Sequence, residues 1–323
     1  MKCCCCGHSD FGEVISVKEM MYGWQEWFNY RACVNCGTLQ LEQIPADLGK
    51  YYPNDYYSFA SNKELPNFSD LKRKLIKIRD LAFYGIRNSI AGKLLKYIFP
   101  LTETEIQFKG YQFAYSIWQQ YPEGKLLDIG SGNGSIVRYM QSIGFHGLVG
   151  LDPFVDNSTY HNTRPVIIKG DIFGWNEPVD AIMMNHSFEH MLEPKAVMAK
   201  ISSVLKPGGS CMVRLPVRGG GYDRYGADWL CFDAPRHLFL TTEKGMKALL
   251  EGTNLELLRT EYETPAYYAL GSELIKKGFS FNRMAEVDTL LNASEIAEAK
   301  AFTHSINAQK RGDAAAFYLR KKS

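Results

Sequence analysis

Gly130, Gly132 and Gly134 lie in a loop directly behind the apolar run Leu126-Leu127-Asp128-Ile129. Such a run reads as a buried parallel strand, and glycines after it let the backbone turn sharply and approach a ligand where a Cβ would clash. Eighteen residues past Gly134 the next apolar strand, Leu148-Val149-Gly150-Leu151, ends at Asp152. A carboxylate there can take both hydroxyls of a ribose. The chemistry on offer is the binding of a nucleotide-containing cofactor. A dinucleotide fingerprint has the spacing Gly-x-Gly-x-x-Gly, but position 135 is Ser. Asp128 within the strand and the alternate glycines fit a different user of the same loop and disfavour a nicotinamide oxidoreductase.

A second set of chemical groups opens the chain. Six of the eight cysteines precede residue 37, arranged as Cys3-x-x-Cys6-Gly7 and Cys33-x-x-Cys36-Gly37. Each pair with its glycine forms a tight knuckle that points two thiolates at one ion, and two knuckles make a tetrahedral zinc site. A closed site of Cys3, Cys6, Cys33 and Cys36 is structural and does no chemistry. Cys4 and Cys5 are close enough in sequence to substitute for either ligand. Trp24, Trp27, Phe28 and Tyr30 supply an apolar patch to a unit too short for a full core. The competing readings are a disulfide pair, disfavoured in a reducing compartment, or loose thiols. Cys211 and Cys231 have no metal spacing and read as packing residues.

The elements that position these groups follow from hydrophobic patterning. Lys169-Gly170-Asp171-Ile172-Phe173 reads as the end of a third strand, with Asp171 set to accept a hydrogen bond from an adenine amino group. Val179-Asp180-Ala181-Ile182-Met183-Met184-Asn185-His186 is a fourth strand running into the polar loop Ser187-Phe188-Glu189-His190. Leu205-Lys206-Pro207-Gly208-Gly209 is a turn entering another apolar strand, Ser210 to Leu215. Leu255 to Tyr262 and Ala314 to Arg320 are two late strands that close the sheet as an antiparallel edge. Between residues 71 and 98 apolar positions recur at helical spacing, with eight Lys or Arg against one acid, Asp80. The plain reading is an amphipathic helix with a solvated basic face; the sharper one is a face for anionic phosphates, including peripheral membrane contact through residues 71–98. Gly85 and Gly92 interrupt that pattern.

At 323 residues the chain has room for about two domains, and 46% hydrophobic with 22% charged residues is the composition of an ordinary globular protein. The net charge of +2 gives no argument for nucleic acid, and the basic residues lack an interleaved aromatic reading surface. No apolar run approaches the roughly 20 residues that span a bilayer. The N-terminus lacks the apolar stretch of a signal peptide, so a cytoplasmic location is expected.

From residue 108 to 218, the order and spacing of the strand-loop blocks resemble those of class I S-adenosylmethionine-dependent methyltransferases. The resemblance implies an α/β, Rossmann-like sheet of seven strands, mostly parallel with an antiparallel edge strand, preceded here by a small zinc ribbon. It divides the chain into a zinc-ribbon module at 1–50, a tyrosine-rich linker and basic helical region at 51–107, and a methyltransferase domain at 108–323 with an acceptor-covering insertion near 218–240. It also implies a cofactor site of Asp128, Gly130, Gly132, Gly134, Asp152, Asp171, Ile172 and Asn185. The methionine part lies near Gly130 to Gly134, the ribose on Asp152, and the adenine beside Asp171 and Ile172.

Methyl transfer from a sulfonium is an in-line displacement, so the enzyme chiefly aligns acceptor and methyl carbon. A hydroxyl acceptor also needs a base, and histidine suits neutral pH. Of seven histidines, His186 and His190 flank the loop after the fourth strand, with Glu189 between them. His237 belongs to a second cluster running from Tyr225 through Asp228, Trp229, Asp233, Pro235 and Arg236, a lid whose aromatic and charged groups suit a polyhydroxylated acceptor. The ribbon, the tyrosine-rich linker, the core and this loop together resemble bacterial methyltransferases of polysaccharide and deoxysugar pathways. Deoxysugar C-methyltransferases of that type carry Tyr-x-Glu-His, where this chain has Ala234-Pro235-Arg236-His237. The histidine is kept, but the carboxylate needed for enolate chemistry is replaced. The expectation is therefore methylation of a sugar hydroxyl, with an amino group next. A quinone-like or lipid acceptor, and a non-catalytic scaffold retaining the cofactor fold, are the alternatives.

Overall fold

The computed structural model describes residues 1–53, 68–101 and 109–323. Tyr56 and Tyr57 of the tyrosine-rich stretch, and residues 102–107 at the end of the basic region, lie outside the described residues. The chain forms two compact units, one of residues 1–53, 186–199 and 213–318, the other of 54–185, 200–212 and 319–323.

The strands, in chain order, are β1 (Phe11–Lys18), β2 (Trp27–Cys33), β3 (Leu39–Leu41), β4 (Leu126–Ile129), β5 (Leu148–Asp152), β6 (Thr159–His161), β7 (Arg164–Lys169), β8 (Val179–Asn185), β9 (Leu205–Pro216), β10 (Phe239–Leu240), β11 (Leu255–Glu263) and β12 (Ala314–Lys321). In the second unit β4 is buried on both faces and β8 nearly so. That is why their sequences are continuously apolar rather than alternating, as central parallel strands are. Leu126 is opposite Leu148 on one side and Ala181 on the other, and Leu151 is opposite Ile168, all in parallel pairs.

The main sheet runs β11-β12-β9-β8-β4-β5-β7-β6 and so has eight strands, which corrects the expected seven. The additional strand is β6, antiparallel to β7. Its hairpin turns at Asn162 and Thr163, both at positive φ (47° and 67°), the backbone that a tight two-residue hairpin demands. Three residues of mixed polarity give no alternation to read in advance. The glycine turn expected at Lys206 to Gly209 lies inside β9, with Gly208 at φ 75° absorbing the distortion.

The basic region forms two helices, Asp70–Phe83 and Ile90–Ile98, capped by Ser69 and Ser89. They pack closely because residue 92 is glycine: a Cβ there would sit 2.5 Å from Ala82 Cβ and from the Ile78 carbonyl oxygen. Asp80, in the first of these helices, is fully buried; it binds Arg79 at 2.6 Å and accepts hydrogen bonds from Tyr139 (2.5 Å) and Tyr115. Among the described residues no helix is long and apolar enough to cross a membrane.

In the first unit, β1, β2, β3 and β10 form a separate four-stranded sheet. Its last pairing, Phe239 opposite Gln40 and Leu240 opposite Leu39, ties the cysteine-bearing N-terminus to the segment just past His237. Tyr30 is wholly buried there and donates from its hydroxyl to the His237 carbonyl at 2.7 Å. Trp27, expected in the apolar patch, is instead 63% exposed, with the Lys18 ammonium over its ring.

Candidate functional site

The cofactor groups of the second unit converge on the carboxyl ends of β4 and β5. Gly130, Gly132 and Gly134 have φ of 72°, 54° and 73°, left-handed values that favour glycine. A Cβ on Gly134 would also lie 2.6 Å from Ile167 Cδ1. The helix Ser135–Ser142 starts directly behind this loop. Asp152 is buried, its Oδ2 accepting the Gly132 amide at 2.8 Å and its Oδ1 the Phe154 amide at 2.8 Å. Each carboxylate oxygen keeps a second lone pair, so the acid is aimed by the backbone and still able to accept ribose hydroxyls. Ser131 Oγ is buried beside the loop without a hydrogen-bond partner, an orphan that a polar ligand would satisfy. Burial raises the Asp128 carboxyl to about 7, against the opposing contact with Asn185 at the end of β8. Asp171 caps the turn Ile172–Gly174 through its Oδ1, 3.1 Å from the Gly174 amide, and stays exposed; Ile172 is buried.

The four knuckle cysteines meet in the first unit. Cys3 Sγ is 3.5 Å from Cys36 Sγ and Cys6 Sγ is 3.5 Å from Cys33 Sγ, with all four sulfurs within 4.8 Å of one another. Tetrahedral Zn–S bonds of about 2.3 Å would set sulfurs about 3.8 Å apart, so the donor set and spacing fit a zinc ion. Gly7 and Gly37, at φ 75° and 77°, make the two turns. Cys5 points elsewhere, its Sγ 3.5 Å from Thr241 Oγ1.

A third cluster, also in the first unit, gathers residues distant in sequence. Glu189 is fully buried on the short turn Phe188–His190, and neither carboxylate oxygen makes a hydrogen bond. Its Oε1 is 3.5 Å from His186 Nδ1 and 3.8 Å from His237 Nε2. His190 and His237 have ring centroids 4.9 Å apart. Burial pushes the His186 and His190 rings below their ordinary range. Burial alone would raise the Glu189 carboxyl, but contact with His186 and the nearness of His190 and His237 hold it low. The turn is tied to the His237 segment by the Leu238 amide, which donates to the Glu189 carbonyl at 2.9 Å.

All four residues expected to handle protons, His186, Glu189, His190 and His237, thus lie together. Arg236 and Trp229, expected to face an acceptor, do not: Arg236 is 0% and Trp229 1% exposed. Arg236 instead binds Asp233 (2.6 Å), Glu19 (2.7 Å) and the Tyr51 carbonyl (2.9 Å). The sequence reading gave no site role to Glu19 or to Tyr52, whose hydroxyl is 3.1 Å from His190 Nδ1. Nothing in their local spacing marks them, because each reaches the cluster from a different part of the chain.

A parallel α/β sheet with a glycine loop behind one strand and a carboxylate ending the next defines a nucleotide-cofactor domain. A family model described as a methyltransferase domain matches residues 89–260, more than half of the chain, and the chain belongs to that family. It is an S-adenosylmethionine-dependent methyltransferase. Similar solved structures include the cyclopropane synthase MmaA2 from Mycobacterium tuberculosis (17% identity over 77% of this chain and 98% of that one, TM-score 0.43). Another is phosphoethanolamine N-methyltransferase 2 from Haemonchus contortus (15% identity, 96% and 68% covered, TM-score 0.43). A third is the plantazolicin methyltransferase BpumL (14%, 79% and 100%, TM-score 0.42). No curated protein sequence matches the chain.

Proposed function

We propose that this enzyme transfers the methyl group of S-adenosylmethionine to a hydroxyl, or secondarily an amino group, of a nucleotide-linked sugar or glycan precursor. The observation that carries the proposal is the buried Glu189 carboxylate ringed by His186, His190 and His237. A hydroxyl acceptor must lose its proton as the carbon–oxygen bond forms, and this is a polar, proton-accepting site rather than an apolar one. The oxygen takes the methyl group, the sulfonium carbon–sulfur bond breaks, S-adenosylhomocysteine leaves, and the proton passes to a histidine of the cluster. Gly130, Gly132, Gly134 and Asp128 receive the methionine part of the cofactor, Asp152 the ribose, and Asp171, Ile172 and Asn185 the remainder of the nucleoside site. A zinc ion on Cys3, Cys6, Cys33 and Cys36 braces β3 and β10 and takes no part in turnover.

The assay is transfer of isotope from methyl-labelled S-adenosylmethionine to a panel of nucleotide sugars. Label in a sugar product, lost by about 100-fold or more in His237→Ala with cofactor affinity kept, is the expected result. Full activity in that variant removes His237 from the proposal, and no labelled sugar overturns the acceptor class.

A second reading, a lipid or lipid-linked acceptor, is favoured by one observation. The helix Ile90–Ile98 exposes Ile90, Leu94, Tyr97 and Ile98 beside Lys93 and Lys96, the make-up of a helix that rests on an anionic membrane surface. Label appearing only in lipid extracts would select that reading.

Two further results are expected. Cofactor affinity should rise as pH rises through about 7 and level off above it, because the cationic sulfonium and ammonium favour ionised Asp128, whose burial holds it protonated below that pH. Calorimetry between about pH 6 and pH 8.5 checks this, with Asp128→Asn flattening the profile. Cys33→Ser should release the zinc and lower the thermal midpoint of the first unit; an unchanged midpoint with no metal in the wild-type protein would remove the ribbon.

A further inference from the structure

Two facts about the third cluster go beyond proton transfer. His237 Nδ1 lies 2.7 Å from the Cys231 carbonyl and His190 Nδ1 lies 2.8 Å from the Arg236 carbonyl. A carbonyl only accepts, so both Nδ1 atoms carry the hydrogen, and Nε2 is the ring nitrogen left to offer a lone pair. This is the arrangement in which the second ring nitrogen of a metal-ligating histidine is held by a backbone carbonyl. His237 Nε2 is 3.8 Å from Glu189 Oε1 and 3.7 Å from Asp233 Oδ2, too far for a hydrogen bond to either. Glu189 is fully buried and neither carboxylate oxygen makes a hydrogen bond; its nearest ring nitrogens are His186 Nδ1 at 3.5 Å and His237 Nε2 at 3.8 Å. A buried carboxylate in that state calls for a cation.

We propose that Glu189, His190 and His237 hold a divalent transition-metal ion, one ligand atom from each already lying within 4.8 Å of the others. Two imidazoles and one carboxylate leave coordination positions open for an outside ligand. That outside ligand is the acceptor oxygen, a consequence that rests on the function proposed above, whereas the ion site itself rests on the geometry. With His190 and His237 engaged, His186, whose Nδ1 faces Glu189 at 3.5 Å, is the histidine left to take the acceptor proton.

The test is titration of the full chain, with zinc kept on its cysteines, by Co2+ followed by absorption. Wild type should gain the weak visible bands of a nitrogen–oxygen site at one equivalent, without the strong thiolate-to-cobalt charge transfer of a cysteine site. Glu189→Gln and His237→Ala should bind Co2+ at least about 100-fold more weakly, their retained zinc reporting that the unit is folded. Absence of these bands in wild type, or undiminished binding in both variants, overturns the site. Turnover of a sugar acceptor that survives removal of this ion overturns its role in holding the acceptor oxygen and leaves the methyl-transfer proposal standing. A bound ion without any sugar turnover supports the site and refutes the sugar proposal.

Discussion

Arg236→Met should lower the unfolding free energy by about 3–5 kcal/mol, read as a fall in the denaturant midpoint without a change in slope. The guanidinium is fully buried between Glu19 and Asp233, at 2.7 Å and 2.6 Å. Removing it leaves two carboxylates inside the unit without a counter-charge. Four backbone amides, of Met21, Tyr22, Gly23 and Trp24, also donate to Glu19, at 2.9–3.1 Å, and soften its loss. Asp233 has no comparable set among the described residues and should dominate the cost. Arg236→Met combined with Asp233→Asn, a neutral residue that tolerates the left-handed backbone there (φ 36°), should therefore recover part of the stability, since a buried pair is replaced as a unit more cheaply than it is broken. A single variant as stable as wild type would mean that water or another group reaches Asp233.

Asp152→Ala should weaken S-adenosylmethionine binding by about 100-fold or more while leaving the fold intact. Two hydrogen bonds from hydroxyls to a charged acceptor contribute about 1.5–3 kcal/mol each, and their joint loss covers that factor. The same carboxylate also holds the Gly132 amide, so the glycine loop loses its support. Asp152→Asn keeps one acceptor oxygen and should fall between the two. Calorimetric affinity equal to wild type in Asp152→Ala would remove the ribose assignment, and circular dichroism would separate that outcome from misfolding.

The nucleotide domain was readable because its signals are local. Leu126 to Gly134 states strand, loop and close approach within nine residues, and both faces of such a strand are buried, so the apolar run is unbroken. The cysteine knuckles were readable for the same reason: two short spacings with glycines carry the whole geometry of a tetrahedral site. The strand count was not, because β6 is three residues that pair only once Asn162 and Thr163 turn the chain.

His186, Glu189, His190 and His237 could be named from their types and from the loops that carry them. Their relation could not. His237 is brought to Glu189 by β10 pairing with β3, by the Tyr30 hydroxyl on its carbonyl, and by the Leu238 amide on the Glu189 carbonyl. Arg236 looked like an acceptor contact because an arginine beside a histidine in a lid has that chemistry. Its two carboxylate partners stand 217 and 3 residues away in sequence, and only packing shows that both are buried around it. Residue types and short spacings state which groups can bind a nucleotide or a metal. Which nitrogen carries the proton, and which carboxylate is left without a hydrogen bond, is decided by contacts closed across long loops, where no local pattern records them.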